Sequence, residues 1–180
     1  MSIWKWADWI TPVAPENRVT LGEGNTPLVR SRRIGPAIGL SSLYFKLESS
    51  NPSGSFKDRF GAAAISSMLE NDRTNCIATS SGNTGAALAA YSAAAGIRCR
   101  IAIVETAPIS KLKQMLAYRA EIFRVKGFGL DPNITSRTFK TLQEIGKHPH
   151  YALQVSAYTY SAAGMTGVET VSFELAGQLD

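Results

Sequence analysis

The stretch Cys76-Ile77-Ala78-Thr79-Ser80-Ser81-Gly82-Asn83-Thr84-Gly85, continued by Ala86-Ala87-Leu88-Ala89-Ala90-Tyr91-Ser92-Ala93-Ala94-Ala95, decides how the rest of the chain is read. A short uncharged run gives way to small hydroxyl residues and glycines, and then to a segment dominated by alanine, the strongest helix former. That order is strand, turn, helix. Working outward, the same alternation predicts strands at 43–47, 76–79, 99–104, 121–125 and 151–155, and helices at 56–71, 84–95, 111–120, 134–147 and 165–179. Ile101-Ala102-Ile103-Val104 is continuously apolar instead of alternating, as expected of a strand covered on both faces in a parallel sheet. Phe60, Ala64, Ile65, Met68 and Leu69 share one helical face, as do Val168, Val171, Leu175 and Leu179. The pattern predicts an α/β fold, a parallel sheet sandwiched by helices with right-handed crossovers.

Residues 1–42 break the pattern. They are rich in Pro and Gly, hold Trp4, Trp6 and Trp9 close together, and end beyond Leu21-Gly22-Glu23-Gly24-Asn25-Thr26-Pro27-Leu28. Such a segment reads as an arm lying across another surface, either the α/β body formed by residues 43–180 or something the chain does not contain.

The composition narrows the function classes. Hydrophobic residues make up 44% and charged residues 18%, which suits a folded, soluble protein. No apolar run reaches the roughly 18 residues of a membrane span, and the start of the chain lacks the pattern of a secretory signal; cytoplasmic residence is expected. The net charge is +5, yet the basic residues are scattered and carry no nucleic-acid-binding signature. Cys76 and Cys99 lie far apart in sequence without a CxxC pattern, so no disulfide or zinc framework is indicated and both read as reduced core residues. His148 and His150 have no neighbouring ligand partners, so no metal is expected.

Chemistry in open α/β sheets collects at the carboxyl ends of strands, and two such ends stand out. In Ser53-Gly54-Ser55-Phe56-Lys57-Asp58-Arg59, Ser55 and Asp58 have capping-box spacing, which puts Lys57 in the first turn of a helix. The helix dipole there disfavours a cation and eases loss of the amine's proton, the state that Schiff-base chemistry needs. An ordinary surface lysine paired with Asp58 fits the same spacing. The second is Ser80–Gly85, where backbone N–H groups at a helix start can hold a carboxylate or phosphate; a plain capped turn also fits. Gly82 and Gly85 do not form the G-x-G-x-x-G of a dinucleotide site.

Taken together, these segments carry a resemblance. Ser53–Arg59 resembles the cofactor-lysine motif of fold-type II pyridoxal-phosphate enzymes, Ser80–Gly85 their substrate-carboxylate loop, and Leu21–Leu28 a signature of the threonine synthases within that group. Ser110-Lys111-Leu112-Lys113-Gln114-Met115 and Glu121–Gly127 are similar to the group's next βα unit. The resemblance implies pyridoxal 5′-phosphate as cofactor, with Lys57 as its Schiff-base lysine and as the base at the substrate α-carbon. It implies Asn83 against the ring's 3-hydroxyl oxygen, Phe56 and Ser80 lining the site, and Ser81, Gly82, Asn83 and Thr84 on the substrate carboxylate. The reaction implied is a carbon–oxygen lyase step converting O-phosphohomoserine and water to threonine and phosphate, on a small amino-acid substrate.

Two departures qualify that expectation. The group continues into a second domain with a glycine-rich loop for the cofactor phosphate; residues 1–42 would be an arm of that larger domain, and no such loop follows Gly85 here. The chain thus reads as a fragment that binds the cofactor weakly by itself, completed by a C-terminal half or present as a homodimer. The segment from Ser156 to Asp180 also lacks the arginine expected for a substrate phosphate, which leaves Lys111, Lys113 and Arg59 as candidates. A dehydratase acting on serine or threonine, a synthase using phosphoserine, or a non-catalytic remnant of the fold stay open.

Overall fold

The computed structural model describes residues 2–179, and within them every side chain except those of Ser110 and Lys111. After 3-10 turns at Ile3–Trp9 and Pro15–Asn17 come β1 (Leu28–Arg30), α1 (Ile34–Ala37), β2 (Tyr44–Lys46) and a 3-10 turn at Glu48–Ser50. The body follows in strict alternation: α2 (Lys57–Glu70), β3 (Asn75–Thr79), α3 (Asn83–Ala94), β4 (Arg98–Ile103), α4 (Ile109–Ala117), β5 (Glu121–Arg124), α5 (Pro132–Gly146), β6 (Tyr151–Gln154) and α6 (Tyr158–Leu179). Four strands form one parallel sheet in the order β5-β4-β3-β6, with Cys76 registered on Cys99 and Ala78 on Gln154. The expected architecture, a parallel sheet flanked by helices, is what the chain adopts.

One strand is placed differently from expectation. Within residues 43–47 a strand does form, at Tyr44–Lys46, but this β2 pairs antiparallel with β1 in a separate two-stranded sheet. The parallel sheet begins at β3. Tyr44 and Phe45 are exposed, so this strand never acquires the two-sided burial of β4, and its partner comes from the segment assigned to the arm.

α2 packs between α3 and α6, and the core beneath it joins Phe60, Ile65 and Met68 to Leu88, Ile101, Ile103 and Met115. Close approach needs small residues: a Cβ on Gly167 of α6 would lie 2.2 Å from the carbonyl oxygen of Arg59 on α2. α6 starts earlier than its apolar periodicity predicts and kinks at Ser161 (φ −151°, ψ 66°), which separates the Tyr158–Tyr160 turn from the periodic part.

The arm docks on this body. Ile3, Ile10 and Val13 are buried, Trp4 donates its indole N–H to the Val19 carbonyl at 2.9 Å, and Trp6 and Trp9 lean on Phe173 of α6 at 5.5 and 6.1 Å between ring centres. A buried charge cluster holds the seam. Arg59 is 0% exposed and bonds Glu48 through Nε at 2.8 Å and Glu174 through Nη1 at 2.6 Å. Glu174 also accepts from Lys46 at 2.8 Å and from the backbone N–H of Asn25 at 2.7 Å. Burial by itself would push the Glu174 carboxyl up, but hydrogen bonds from Arg59 and Lys46 prevail and hold it down at about 2.

Two measurements check this packing. Gly167→Ala forces α6 off α2 and costs about 1–3 kcal/mol, the usual range for overpacking, seen as a lower urea midpoint. Glu174→Gln leaves the Arg59 guanidinium half-paired in the interior and costs about 3–5 kcal/mol near neutral pH. Because the wild-type carboxyl is depressed on folding, its contribution is full above the ordinary value of 4.5 and fades as pH falls through about 2. The gap between the two proteins' unfolding free energies therefore narrows across that acid range.

Candidate active site

The lysine loop is built by its own polar groups. Asn51-Pro52-Ser53-Gly54 forms a turn closed by the Gly54 N–H on the Asn51 carbonyl at 2.8 Å, with Gly54 at φ +88°, a conformation glycine adopts without strain. Asp58, fully buried, accepts from the Ser53 N–H at 3.0 Å, the Ser53 hydroxyl at 2.8 Å and the Ser55 N–H at 3.3 Å. In return the Ser55 hydroxyl accepts the Lys57 N–H at 3.2 Å. The Asp58 half of the reciprocal cap predicted by the Ser55/Asp58 spacing forms, while the Ser55 hydroxyl serves the Lys57 N–H in place of that of Asp58. This bonding turns the Asp58 carboxylate into the loop, so Asp58 does not pair with the Lys57 amine.

Lys57 Nζ instead donates to the Ser156 hydroxyl and lies 4.3 Å from the centre of the Phe56 ring. No carboxylate forms an ion pair with it among the described residues. Burial lowers its pKa, because removal from water disfavours the ammonium form. The amine is thus biased toward the neutral, nucleophilic state.

Ser156 follows β6, the parallel neighbour of β3, and the Ser80–Gly82 turn follows β3. The Lys57 amine therefore lies one strand away from that turn, at the same carboxyl end of the sheet. Gly82 caps α3 with no side-chain hydrogen bond, and the first intrahelical bond runs from the Ala86 N–H to the Gly82 carbonyl. The preceding amides of the first turn have no intrahelical acceptor and point outward. A Cβ on Gly82 would meet nothing within 4 Å, so the space above the turn is open. Asn83 is exposed there, and Ser81 and Thr84 are partly buried. Gln114 on α4 donates to the Ser53 carbonyl at 3.0 Å and joins α4 to the lysine loop.

The geometry revises one expectation and leaves another aside. Arg59, a candidate for a substrate phosphate, points into the interior, where Glu48, Glu174, Thr170 and Thr26 occupy its donors; a cation so paired and so far from water has nothing left for a ligand. The Lys111 side chain lies outside the described residues, whereas Lys113 is exposed on α4. Ser156 was missed by the sequence reading. Its one signal is that it follows a predicted strand immediately, but which strand lies beside β3 is not written in the sequence. A separate apolar groove of about 620 Å³, lined by Phe123, Val125, Leu142 and Ile145 among others, lies between α5 and the sheet and includes none of these residues.

The family described as pyridoxal-phosphate dependent enzyme matches residues 19–180. The chain belongs to this family. Its cofactor is pyridoxal 5′-phosphate. Among curated relatives, the threonine synthase of Methanosarcina acetivorans is 35% identical over 99% of this chain and 42% of its own length. That of Methanocaldococcus jannaschii is 32% identical over 100% of this chain and 42% of its own, and that of Halalkalibacterium halodurans 43% identical over 64% and 33%. The chain thus spans less than half the length of these relatives. Among solved structures, a pyridoxal 5′-phosphate-dependent aspartate racemase superposes with a TM-score of 0.72 at 28% identity, over 98% of this chain and 49% of that one. Maize serine racemase gives 0.72 at 28%, over 86% and 45%.

The residues present fit the reactive end of the family's cofactor. A partly buried lysine amine with no carboxylate partner among the described residues is suited to condense with an aldehyde, and the α3 amides one strand away are suited to an anion. A lysine whose amine is disfavoured as a cation loses its proton at lower pH than an ordinary one. Acylation of the protein with an amine-reactive reagent over a pH series, read by peptide mass spectrometry, is expected to show Lys57 half-modified at lower pH than a lysine in an unstructured peptide. An equal or higher midpoint would remove the case for a primed amine.

Proposed function

We propose that this chain is the lysine-bearing part of a pyridoxal-phosphate-dependent lyase of the threonine-synthase type, acting on O-phosphohomoserine and water to form threonine and phosphate. The observation that carries the reading is the Lys57 amine, held by Ser156 without a carboxylate and one strand away from the α3 amides. The similarity to three threonine synthases supports the choice of reaction.

When bound, the cofactor supplies an electron sink that makes the substrate's α-proton labile. Lys57 carries the cofactor and then takes that proton; its neutral form has the lone pair for the task, and Ser156 aims it. Ser81, Gly82, Asn83 and Thr84 would hold the substrate carboxylate by backbone and hydroxyl donors, Asn83 would hydrogen-bond the ring's oxygen substituent, and Phe56 would line the site. With Arg59 committed to the interior, Lys113 and Lys111 are the basic candidates for the substrate phosphate. In this reading residues 1–42 reach toward a larger domain, residues 43–180 form the lysine domain, and a complementing C-terminal half supplies the loop for the cofactor phosphate. The reaction takes place in the cytoplasm, and a homodimer is the alternative source of missing contacts.

A second reading, amino-acid racemisation, is favoured by the two racemase structures. It shares the α-proton step but eliminates nothing.

The tests separate these readings. Incubation with pyridoxal 5′-phosphate followed by borohydride reduction and peptide mapping is expected to place the pyridoxyl adduct on Lys57, and Lys57→Ala to abolish both the adduct and the yellow colour. An adduct spread over surface lysines in both proteins would sink the assignment. The chain alone is expected to release no phosphate from O-phosphohomoserine, and addition of a C-terminal half to start release with threonine formation. Loss of optical rotation of serine or aspartate without phosphate release would favour the racemase.

A further inference from the structure

Cys76 and Cys99 are unrelated in sequence but face each other in space. They are register partners on β3 and β4, the two central strands, and both side chains enter the core under α2 and α3. Neighbouring strands lie about 4.8 Å apart, within the roughly 4.4–6.8 Å between Cα atoms that a disulfide bridges. Two buried thiols usually act as small apolar groups. Here a polar atom accompanies them. Ser92, on the last turn of α3, is 0% exposed, and its hydroxyl is the one buried side-chain polar atom without a partner among the described residues. Its helix, α3, packs on both strands that carry the cysteines. Cys99 stands next to the exposed Arg98 at the start of β4 and keeps 5% of its surface, whereas Cys76 keeps none.

We propose that Cys76 and Cys99 form an oxidation site, a dithiol that hydrogen peroxide converts to an intrachain disulfide and a small dithiol reductant converts back. The Cys99 sulfur, as thiolate, attacks one peroxide oxygen; the O–O bond breaks, a proton completes the departing water, and Cys99 carries a sulfenic acid. The Cys76 sulfur then attacks the Cys99 sulfur. The S–O bond breaks, the Cys76 proton leaves with the hydroxyl as a second water, and the S–S bond closes. Two thiols have lost two electrons and two protons, and one peroxide has become two waters. The Ser92 hydroxyl supplies a hydrogen bond to the thiolate in a setting that offers few others.

The chain holds only these two cysteines, so the reading is direct. The native protein is treated with hydrogen peroxide, quenched, unfolded and alkylated with N-ethylmaleimide, and its intact mass is measured. The expected result is loss of both alkyl additions, a digest peptide linking Cys76 to Cys99, and recovery of both additions after dithiothreitol. Cys76→Ala is expected to leave a dimedone-trappable sulfenic acid on Cys99, and Cys99→Ala an unreacted Cys76. Two alkylated thiols after peroxide, a link between separate chains on a non-reducing gel, or sulfinic acids in place of the disulfide would each overturn the proposal. If a variant fails to fold by circular dichroism, the wild-type masses decide alone.

Discussion

Arg59 donates to Glu48 on one side and to Glu174 on the other, with its side chain wholly out of water. A guanidinium in that position is tolerable only while both carboxylates stay in place, since loss of either partner leaves a buried charge uncompensated. Glu48 belongs to the segment after β2 and Glu174 to α6, while Arg59 lies in the first turn of α2. Three stretches distant in sequence are thereby held at one point. The arm is drawn in by the same cluster, through the Asn25 N–H on Glu174 and the Thr26 hydroxyl on Glu48. Lys57 is two residues upstream, and the place of its amine follows from where this cluster sets the start of α2.

Around that fixed point the acidic and basic groups are divided. Asp58, next in sequence to Lys57, spends its carboxylate on the backbone and hydroxyl of its own loop. Glu48 and Glu174 are taken up by Arg59 and Lys46. What remains near the Lys57 amine is a hydroxyl and an aromatic ring. Neither stabilises an ammonium as a carboxylate would, and burial works against it further. The lowered pKa of the Lys57 amine thus comes from burial, with no paired carboxylate among the described residues to offset it.

The alternation of strands and helices, and the capped turn that places Lys57 at a helix start, were legible because both rest on contacts within a few residues. Ser55 and Asp58 are three positions apart, and the Ser55 N–H on the Asp58 carboxylate and the Lys57 N–H on the Ser55 hydroxyl both form inside one turn. Residues 43–47 show where local reading stops. Their strand character was evident, but their partner is β1, and pairing is chosen by what else the chain brings alongside. Arg59 shows the opposite error. Arg59 became a phosphate candidate because Ser156–Asp180 holds no arginine, whereas its carboxylate partners stand 11 and 115 residues away along the chain.

By itself the sequence determined the parallel α/β architecture, the helix-start position of Lys57 and the strand–turn–helix order at Ser80–Gly85, because hydrophobic periodicity and capping act over a turn or a strand. Only the tertiary structure decided the strand order β5-β4-β3-β6. That order brings Ser156 to Lys57, and the same sheet sets Cys76 opposite Cys99 in register. Adjacency in a sheet is settled by which faces can be buried together, a property of the assembled core that no single segment carries.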